Sequence, residues 1–232
     1  MRLRNIPEAK AIVAESPWVI HEPEKLRGSW ADGKKLGVEI GMGKGRFIME
    51  TARRHPEMAF LGIERYESVL FRACNAMSGV PCLHPGQTEV SAAESLLPAP
   101  ENLHFLCMDA GRLSEVFAPG EIAELYLNFS DPWPKARHAK RRLTYRGFLA
   151  LYAAVMKEGG RLIFKTDNRP LFDFSLEEFE ASPQFSLVSV CDDLHHDEAL
   201  MRENVMTEYE AKFSALGNKI CRLEAVCVGA GH

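Results

Sequence analysis

The sequence predicts an α/β protein with a doubly wound, mostly parallel sheet, and three features of the chain support this fold class. A glycine-rich turn, GMGKG, follows an apolar run and opens a helical pattern, as in nucleotide-binding βαβ units. Further short apolar runs end in polar residues and alternate with helical segments. The chain is 232 residues long, which is enough for one domain with a sizeable core.

Composition narrows the class of protein. No apolar run approaches the length that spans a membrane, and the first residues, MRLRNIPEAKAIV, lack the apolar stretch of a signal peptide. We therefore expect a cytoplasmic protein that does not enter a membrane. The six cysteines form no C-x-x-C pair, so we expect reduced, packed thiols. These cysteines are Cys74, Cys82, Cys107, Cys191, Cys221 and Cys227.

Charge is distributed unevenly along the chain, although the net charge is only −4. Between Lys135 and Arg146 there are six Lys or Arg residues and no acid. Between Asp167 and Glu210 there are twelve Asp or Glu residues and only two basic ones. This asymmetry predicts one cationic face and one anionic face.

Two regions are expected along the chain. Residues 1–34 are mixed in character, with three prolines and an apolar patch at 18–20, and we expect an arm that packs on the rest. A Rossmann-like domain is then expected over residues 35–232. Its first strand is predicted at 36–40, before the glycine loop.

The glycine loop predicts a ligand that approaches the backbone closely. Gly41 and Gly43 place no Cβ in the way, and the helix predicted over 46–54 directs free N–H groups at the same point. A dinucleotide fingerprint needs glycine at position 46, where this chain has Arg. The loop therefore favours a ligand without phosphates, and we assign both glycines to its binding.

Two acids near this loop are candidate ligand contacts. Glu64 ends the predicted second strand, 59–64, about twenty residues after the loop, where a carboxylate commonly accepts from ribose hydroxyls. The cofactor is then a dinucleotide or S-adenosylmethionine, unless Glu64 is simply an exposed acid at a strand end. Glu39 lies inside the first strand and needs a partner there, which the ammonium of a methionine moiety would supply.

The next predicted elements are a helix over 66–77, a loop or loose insertion over 79–101, and a strand over 102–110. Asp109 ends that strand. It either meets an adenine amino group or a bound water, or caps the short helix that follows, and the two roles are compatible.

The stretch LYLNFSDPWPK, residues 125–135, is the strongest candidate for an active site. A buried strand at 124–129 runs into Asp131, where Pro132 and Pro134 bias Asp131 and Trp133 toward extended backbone. In open α/β sheets, ligands bind just beyond the carboxyl ends of the strands. The cationic run KARHAKRR follows at once, which places a polyanion beside this chemistry. The alternative is an ordinary turn.

The remaining chain predicts further elements around the same cleft. A helix over 143–156 is expected to be closed by Gly159 and Gly160, and a strand over 161–168 places Asp167 across a cleft from Asp131. A helix over 170–181 follows, and the runs 185–194 and 218–228 predict a terminal antiparallel pair.

Two motifs lie between the last pair of strands. Thr207 stands three residues before Glu210, which is the pattern of a capping box. The run from His195 to Asp197 is a weak metal motif, because no other ligand shares a spacing with it. We expect solvated loop histidines there and predict no metal site.

In combination, six blocks resemble the bacterial tRNA (guanine-N7-)-methyltransferases. The blocks are VEIGMGKGRF, FLGIERY, NLHFLCMDA, LYLNFSDPWPKARHAKRRL, FKTDN and TEYEAKF, in this order over residues 36–213. The resemblance implies the class I S-adenosylmethionine-dependent methyltransferase fold, with a seven-stranded sheet that ends in an antiparallel hairpin. It also implies a tRNA partner, and we leave the assembly open between monomer and homodimer. The segment 79–101 is longer than is typical of the family.

The resemblance also implies roles for individual residues. Those implied to contact S-adenosylmethionine are Glu39, Glu64, Asp109 and Asp131. Those implied to hold the substrate guanine region are Lys135, Asp167, Thr207, Glu208, Tyr209 and Glu210. Those implied to meet the tRNA backbone are Arg137, His138, Lys140, Arg141 and Arg142.

The implied reaction is methylation of N7 of the guanosine at position 46, in the variable loop of tRNA, which gives 7-methylguanosine. N7 carries a free lone pair, so alignment matters more than proton removal. A carboxylate beside the purine stabilises the positive charge that develops there, and Asp131 is our choice for this catalytic role, with Asp167 second. Two other classes remain: a nicotinamide-dependent dehydrogenase, which leaves the basic run unexplained, and a non-catalytic RNA-binding protein, which leaves Glu39 unexplained.

Overall fold

A computed structural model describes residues 6–79 and 98–229 and contains a seven-stranded sheet in the order β3-β2-β1-β4-β5-β7-β6. Strands β1 to β5 run parallel to one another, and β7 is antiparallel to both β5 and β6. This confirms the predicted doubly wound sheet and its antiparallel terminal pair. The strands are β1 Leu36–Ile40, β2 Ala59–Glu64, β3 Leu103–Cys107, β4 Ile122–Asn128, β5 Met156–Thr166, β6 Phe185–Cys191 and β7 Cys221–Cys227.

Helices cover both faces of the sheet, because successive residues of each central strand point to opposite faces. Val38 and Ile40 of β1 pack in one apolar cluster with Leu149 of α5, whereas Phe60 of β2 packs in a second cluster with Ile48 of α2. The helices are α1 Pro7–Glu15, α2 Arg46–Arg54, α3 Glu67–Met77, α4 Leu113–Val116, α5 Arg146–Val155, α6 Arg169–Glu180, α7 Glu198–Glu203 and α8 Glu208–Ser214.

The segment before β1 lies along the edge strand β3. Val19 forms a parallel bridge with Phe105, whose N–H donates to Trp18 O at 2.8 Å and whose carbonyl accepts from Ile20 N at 3.0 Å. Ala9 and Val13 of α1 are buried. The division of the chain at residue 34 stays a prediction.

The end of α5 differs from the sequence prediction. The helix stops at Val155, and β5 begins at Met156 and contains Gly159 and Gly160. A Cβ at Gly160 would lie 2.7 Å from the Lys157 carbonyl oxygen, so glycine is required for close backbone approach inside the strand. The prediction that these glycines close the helix was wrong.

Other predictions have simple outcomes. Most of the segment 79–101, including Cys82, lies outside the described residues. Within them, the five remaining cysteines are free thiols. Among the same residues, we find no helix with both the length and the apolar character that crossing a membrane requires.

Candidate active site

The carboxyl ends of β1, β2 and β4 open into a cavity of about 730 Å³, at the point where the strand order reverses. This is where open α/β sheets bind ligands. Among the predicted residues, the cavity wall includes Gly41, Glu64, Asp109, Asp131, Lys140 and Arg141. It does not include Asp167.

The glycine loop is held by Glu64. Gly41 and Gly43 have φ of 74° and 59°, a left-handed conformation that glycine adopts without strain. Gly43 N donates to Glu64 Oε2 at 3.2 Å, and Tyr66 N donates to Glu64 Oε1 at 3.0 Å. Burial raises the pKa of Glu64 above its usual value, and the negative charge of Asp131 acts in the same direction. Glu64 and Asp131 both line the cavity.

Glu39 lies at the end of β1, beside the cavity. Burial raises its pKa to about 7, although a hydrogen bond from Asn128 and the positive charge of Lys165 oppose the shift. Three buried oxygens here have no hydrogen-bond partner among the described residues: Glu39 Oε2, Asn128 Oδ1 and Ser130 Oγ. A ligand with an ammonium group would satisfy such acceptors, so the residues fit the methionine part of S-adenosylmethionine.

Asp109 occupies the position that the sequence predicted for a helix cap. Its Oδ1 accepts from Gly111 N at 2.8 Å, and its Oδ2 lies 3.4 Å from the Arg65 guanidinium. The capping role is therefore confirmed, and the carboxylate also lines the cavity. Its contact with a cofactor stays a prediction.

The corner after β4 has an unusual backbone. Phe129 and Trp133 have φ of 52° and 41°, so the prediction that Trp133 is extended was wrong. Non-glycine residues in this region cost of order 1–3 kcal/mol and persist only where the surroundings hold them. Arg142 does this, because its Nε donates to Pro132 O at 3.0 Å and its Nη2 donates to Trp133 O at 3.1 Å. The same guanidinium lies 4.2 Å from the ring centre of Phe174.

The basic run forms a 3₁₀ helix, Ala136–Arg141, beside this corner. Four of its cationic side chains are exposed, namely Lys135, Arg137, Lys140 and Arg141. The Arg141 guanidinium lies 4.8 Å from the centre of the Trp133 ring, and the His138 ring packs on the edge of Trp133 at 5.7 Å. Arg142 thus differs from its neighbours, since two backbone carbonyls occupy its donors.

The segment from Thr207 to Glu210 lies next to the cavity wall, which it contacts at Phe129, and we call this region the cavity mouth. Tyr209 packs against the cavity residue Phe129 with ring centres 5.0 Å apart, and Glu208 forms an ion pair of 2.5 Å with Lys44 of the glycine loop. Burial and then the charge of Asp167 raise the pKa of Tyr209, so Asp167 lies near this ring. Asp167 Oδ2 accepts from Asn218 Nδ2 at 3.0 Å.

Glu210 is fully buried and has partners that the sequence did not indicate. Thr207 Oγ1 accepts from Glu210 N at 2.9 Å, which confirms the predicted N-cap. The Glu210 carboxylate, however, accepts from Lys165 Nζ at 2.6 Å and from Asn204 Nδ2 at 2.6 Å. His195 Nε2 lies 3.0 Å from the same carboxylate, so the prediction that His195 is solvated was wrong. Among the described residues, no group of three or more His, Cys, Asp or Glu side chains is arranged to hold a metal ion.

Comparison with known proteins identifies relatives along almost the whole chain. The family model Methyltransf_4, described as a methyltransferase, matches residues 33–223. A protein of Lachnoclostridium phytofermentans named tRNA (guanine-N(7)-)-methyltransferase is 44% identical over 229 residues, which cover 97% of this chain and 98% of the relative. One of the same name from Geobacillus kaustophilus is 47% identical over 232 residues, covering 97% of each chain.

Solved structures agree in fold at low sequence identity. The 16S rRNA methyltransferase KamB has a TM-score of 0.59 at 15% identity, covering 88% of this chain and 91% of its own. The 16S rRNA (adenine(1408)-N(1))-methyltransferase from Catenulisporales acidiphilia has a TM-score of 0.57 at 13% identity, covering 99% of this chain and 97% of its own.

The sheet order, the glycine loop and the acid-lined cavity define a class I, S-adenosylmethionine-dependent methyltransferase. Within that class, the chain belongs to the family of bacterial tRNA (guanine-N7-)-methyltransferases.

Proposed function

We propose that this protein methylates N7 of a guanosine in tRNA, at position 46 of the variable loop, and so forms 7-methylguanosine. One observation carries the proposal: a cavity lined by Glu64, Asp109 and Asp131 has exposed Lys140 and Arg141 on its wall. Acids suit a cationic, ribose-bearing cofactor, whereas the two bases suit the phosphates of RNA. The two bacterial relatives are named as tRNA methyltransferases, which supports tRNA as the substrate here.

The acids in and beside the cavity are proposed to bind S-adenosylmethionine and to orient its methyl group. S-adenosylmethionine supplies an electrophilic methyl group on a sulfonium when bound. Glu64 would accept from the ribose hydroxyls, and Glu39 from the ammonium, while Gly41 and Gly43 leave room for close approach. Asp109 would serve the adenine end. These contacts hold the methyl group in one direction, which is the main requirement for attack by a free lone pair.

Asp131 is the proposed catalytic residue. It is exposed at the cavity wall, on a corner that Arg142 holds rigid. During transfer the purine gains positive charge, and a fixed carboxylate stabilises that state more than the ground state. Lys135 and Asp167 are proposed to contact the guanine region, together with Thr207, Glu208 and Tyr209. Glu210 is assigned a positioning role, because its carboxylate is buried.

Arg137, His138, Lys140 and Arg141 are proposed to meet the tRNA backbone, since phosphate contacts need exposed cations. N7 is an acceptor of the major groove, and in folded tRNA it is commonly covered, so we expect local opening of the substrate. The protein would then work in the cytoplasm, where tRNA is processed.

The test is to incubate the protein with unmodified tRNA and labelled S-adenosylmethionine and to map the added methyl by mass spectrometry. A gain of one methyl at N7 of guanosine 46 supports the proposal. A methyl group at another position of the tRNA would change the assigned site of modification, but the protein would still be assigned to the tRNA methyltransferases. Tight tRNA binding without turnover would favour the non-catalytic alternative, and calorimetric binding of a nicotinamide cofactor in place of S-adenosylmethionine would favour the dehydrogenase.

A further inference from the structure

Lys165 is a lysine whose side chain is only 2% exposed, in the central strand β5. An ammonium has three protons to donate, and all three have acceptors here. They are Glu210 Oε2 at 2.6 Å, Val205 O at 2.9 Å and Asn204 Oδ1 at 3.0 Å. The face of the Phe47 ring lies 5.2 Å away on another side. All three donors of the ammonium are thus used, although burial still lowers the pKa of Lys165 below its usual value.

All three acceptors of Lys165 belong to one short segment, residues 204–210. This segment also closes on itself, because Asn204 Nδ2 donates to Glu210 Oε1 at 2.6 Å and Glu210 N donates to Thr207 Oγ1 at 2.9 Å. Burial raises the pKa of Glu210, but the charge of Lys165 and the hydrogen bonds from Lys165, Asn204 and His195 together hold it below its usual value. The segment is therefore wrapped around one buried cation.

The same segment also contacts the wall of the cavity through Tyr209, although none of its own residues is among those that line the cavity. Tyr209 is 43% exposed and packs on Phe129, and Glu208 pairs with Lys44 of the glycine loop. The position of these two exposed side chains thus depends on how the segment is fixed from beneath. Lys165 supports it through three contacts, and His195 lies 3.0 Å from the Glu210 carboxylate as a further support.

Lys165 is also continuous with the cofactor side of the cavity. It is in register with Asn128 of β4, and Asn128 donates to Glu39 of β1 at 2.8 Å. One row of polar side chains across three strands therefore joins the segment 204–210 to the acid assigned to the methionine moiety.

We propose that Lys165 is a positioning residue for the nucleic-acid substrate, which acts through Glu210 to hold Glu208 and Tyr209 at the cavity mouth. The proposal rests on the proposed function, because it assigns the fixed segment to tRNA. The role of Lys165 in placing the segment can be separated from a role of the ion pair in stability alone. Replacing a buried ion pair by apolar residues commonly restores stability, whereas removing one partner leaves a buried charge uncompensated.

The experiment compares Lys165→Met, Glu210→Gln and the double variant Lys165→Met with Glu210→Met. We measure thermal stability, the KM for tRNA, kcat, and the Kd of S-adenosylmethionine. The double variant is expected to recover much of the stability that Lys165→Met loses. Its KM for tRNA should nevertheless stay raised by roughly tenfold or more, equivalent to about 1.4 kcal/mol. In Glu210→Gln, which keeps the charge of Lys165 near Glu39, the cofactor Kd should change by no more than about threefold.

Glu178→Gln is the matched control. Glu178 is a second buried carboxylate, 5% exposed, whose Oε1 accepts from Arg146 Nη2 at 2.7 Å away from the cavity. This change should lower stability and leave the KM for tRNA and the Kd of S-adenosylmethionine unaltered. If the double variant regains the wild-type KM for tRNA, the pair is only stabilising and the proposal fails. It fails equally if Glu178→Gln raises that KM as much, or if the loss falls on cofactor binding.

A second measurement does not depend on turnover. Hydrogen exchange at the amides of 204–210 should be slow in the wild type and faster in Glu210→Gln and in the double variant, with the rest of the sheet unchanged. Unaltered exchange in these variants would overturn the placement role. If the wild type shows this protection but never methylates tRNA, the proposed function fails while the role of Lys165 in holding the segment stands.

Discussion

Asn128 donates its side-chain amide to Glu39 Oε1 at 2.8 Å across the adjacent strands β4 and β1, while Glu39 Oε2 has no partner among the described residues. One carboxylate oxygen of this buried acid is thus fixed by the neighbouring strand, and the other is a buried acceptor.

Stability should fall as pH rises toward 7, through Glu39. Its pKa is raised from 4.5 to about 7 by burial, so the folded protein retains a proton that the unfolded chain has lost. The contribution of Glu39 to the free energy of unfolding is fully present below the pKa of the unfolded chain and is lost as pH rises through the pKa of the folded protein. Between the two pKa values the free energy of unfolding changes by about −1.4 kcal/mol per pH unit. Urea unfolding of the wild type and Glu39→Gln at pH 5, 6 and 7 measures it. The free-energy difference between the two should change with pH; a constant difference would refute the raised pKa.

Asp131→Asn should reduce turnover more than it reduces tRNA affinity. The substitution keeps the shape of the side chain and removes the charge that stabilises the developing positive purine. Single-turnover rates and tRNA binding are measured on the same preparation. Intact turnover with lost tRNA binding would make Asp131 a binding residue alone. Asp109→Asn serves as a comparison, since it should alter cofactor affinity first.

Arg142→Ala should behave unlike Arg137→Ala, although the two arginines lie in one basic run. Arg142 holds the carbonyls of Pro132 and Trp133, so its loss should lower kcat and shift the fluorescence of Trp133. Arg137 is exposed, and its loss should flatten the plot of log tRNA affinity against log salt by roughly 0.7 to 0.9. The Trp133→Phe background identifies which tryptophan gives the fluorescence change. Equal effects on the salt slope would place Arg142 among the phosphate contacts after all.

Thr207→Ala should raise the KM for tRNA and reduce stability by about 1 kcal/mol, because the N-cap of α8 is lost at the cavity mouth. Asp197→Ala removes a comparable cap from α7, where Asp197 Oδ1 accepts from Leu200 N at 3.0 Å. Both variants should lose similar stability, and only Thr207→Ala should change tRNA kinetics. If Thr207→Ala and Asp197→Ala show the same kinetics with tRNA, Thr207 acts only as the N-cap of α8.

Local sequence was sufficient for features that adjacent residues determine. The strand at 59–64 and the helix at 46–54 have the predicted bounds, because apolar runs and a glycine turn are short-range signals. Contacts between distant residues were not accessible in this way. Lys165 and Glu210 are 45 positions apart, and no sequence pattern around either residue indicates that the two form an ion pair. The sequence reasoning consequently missed Lys165.

The central corner shows the same limit at close range. Prolines restrict the residues before them, which suggested extended backbone at Trp133. The observed φ of 41° depends on Arg142, nine residues further on, whose guanidinium binds the Trp133 carbonyl. Tertiary contacts thus override a local preference at the point where a strained backbone presents Asp131.

The place of β7 in the sheet has a consequence for biosynthesis. This strand follows all the others in the chain, yet it lies inside the sheet, between β5 and β6. The segment 204–210 lies in the connection between β6 and β7. It can therefore pack on Lys165 only after this late part of the chain has been synthesised. A nascent chain that already has the glycine loop and the Asp131 corner therefore still lacks its cavity mouth. Methyl transfer should begin only after nearly the whole polypeptide has left the ribosome, because the cofactor half is translated first and the substrate half last.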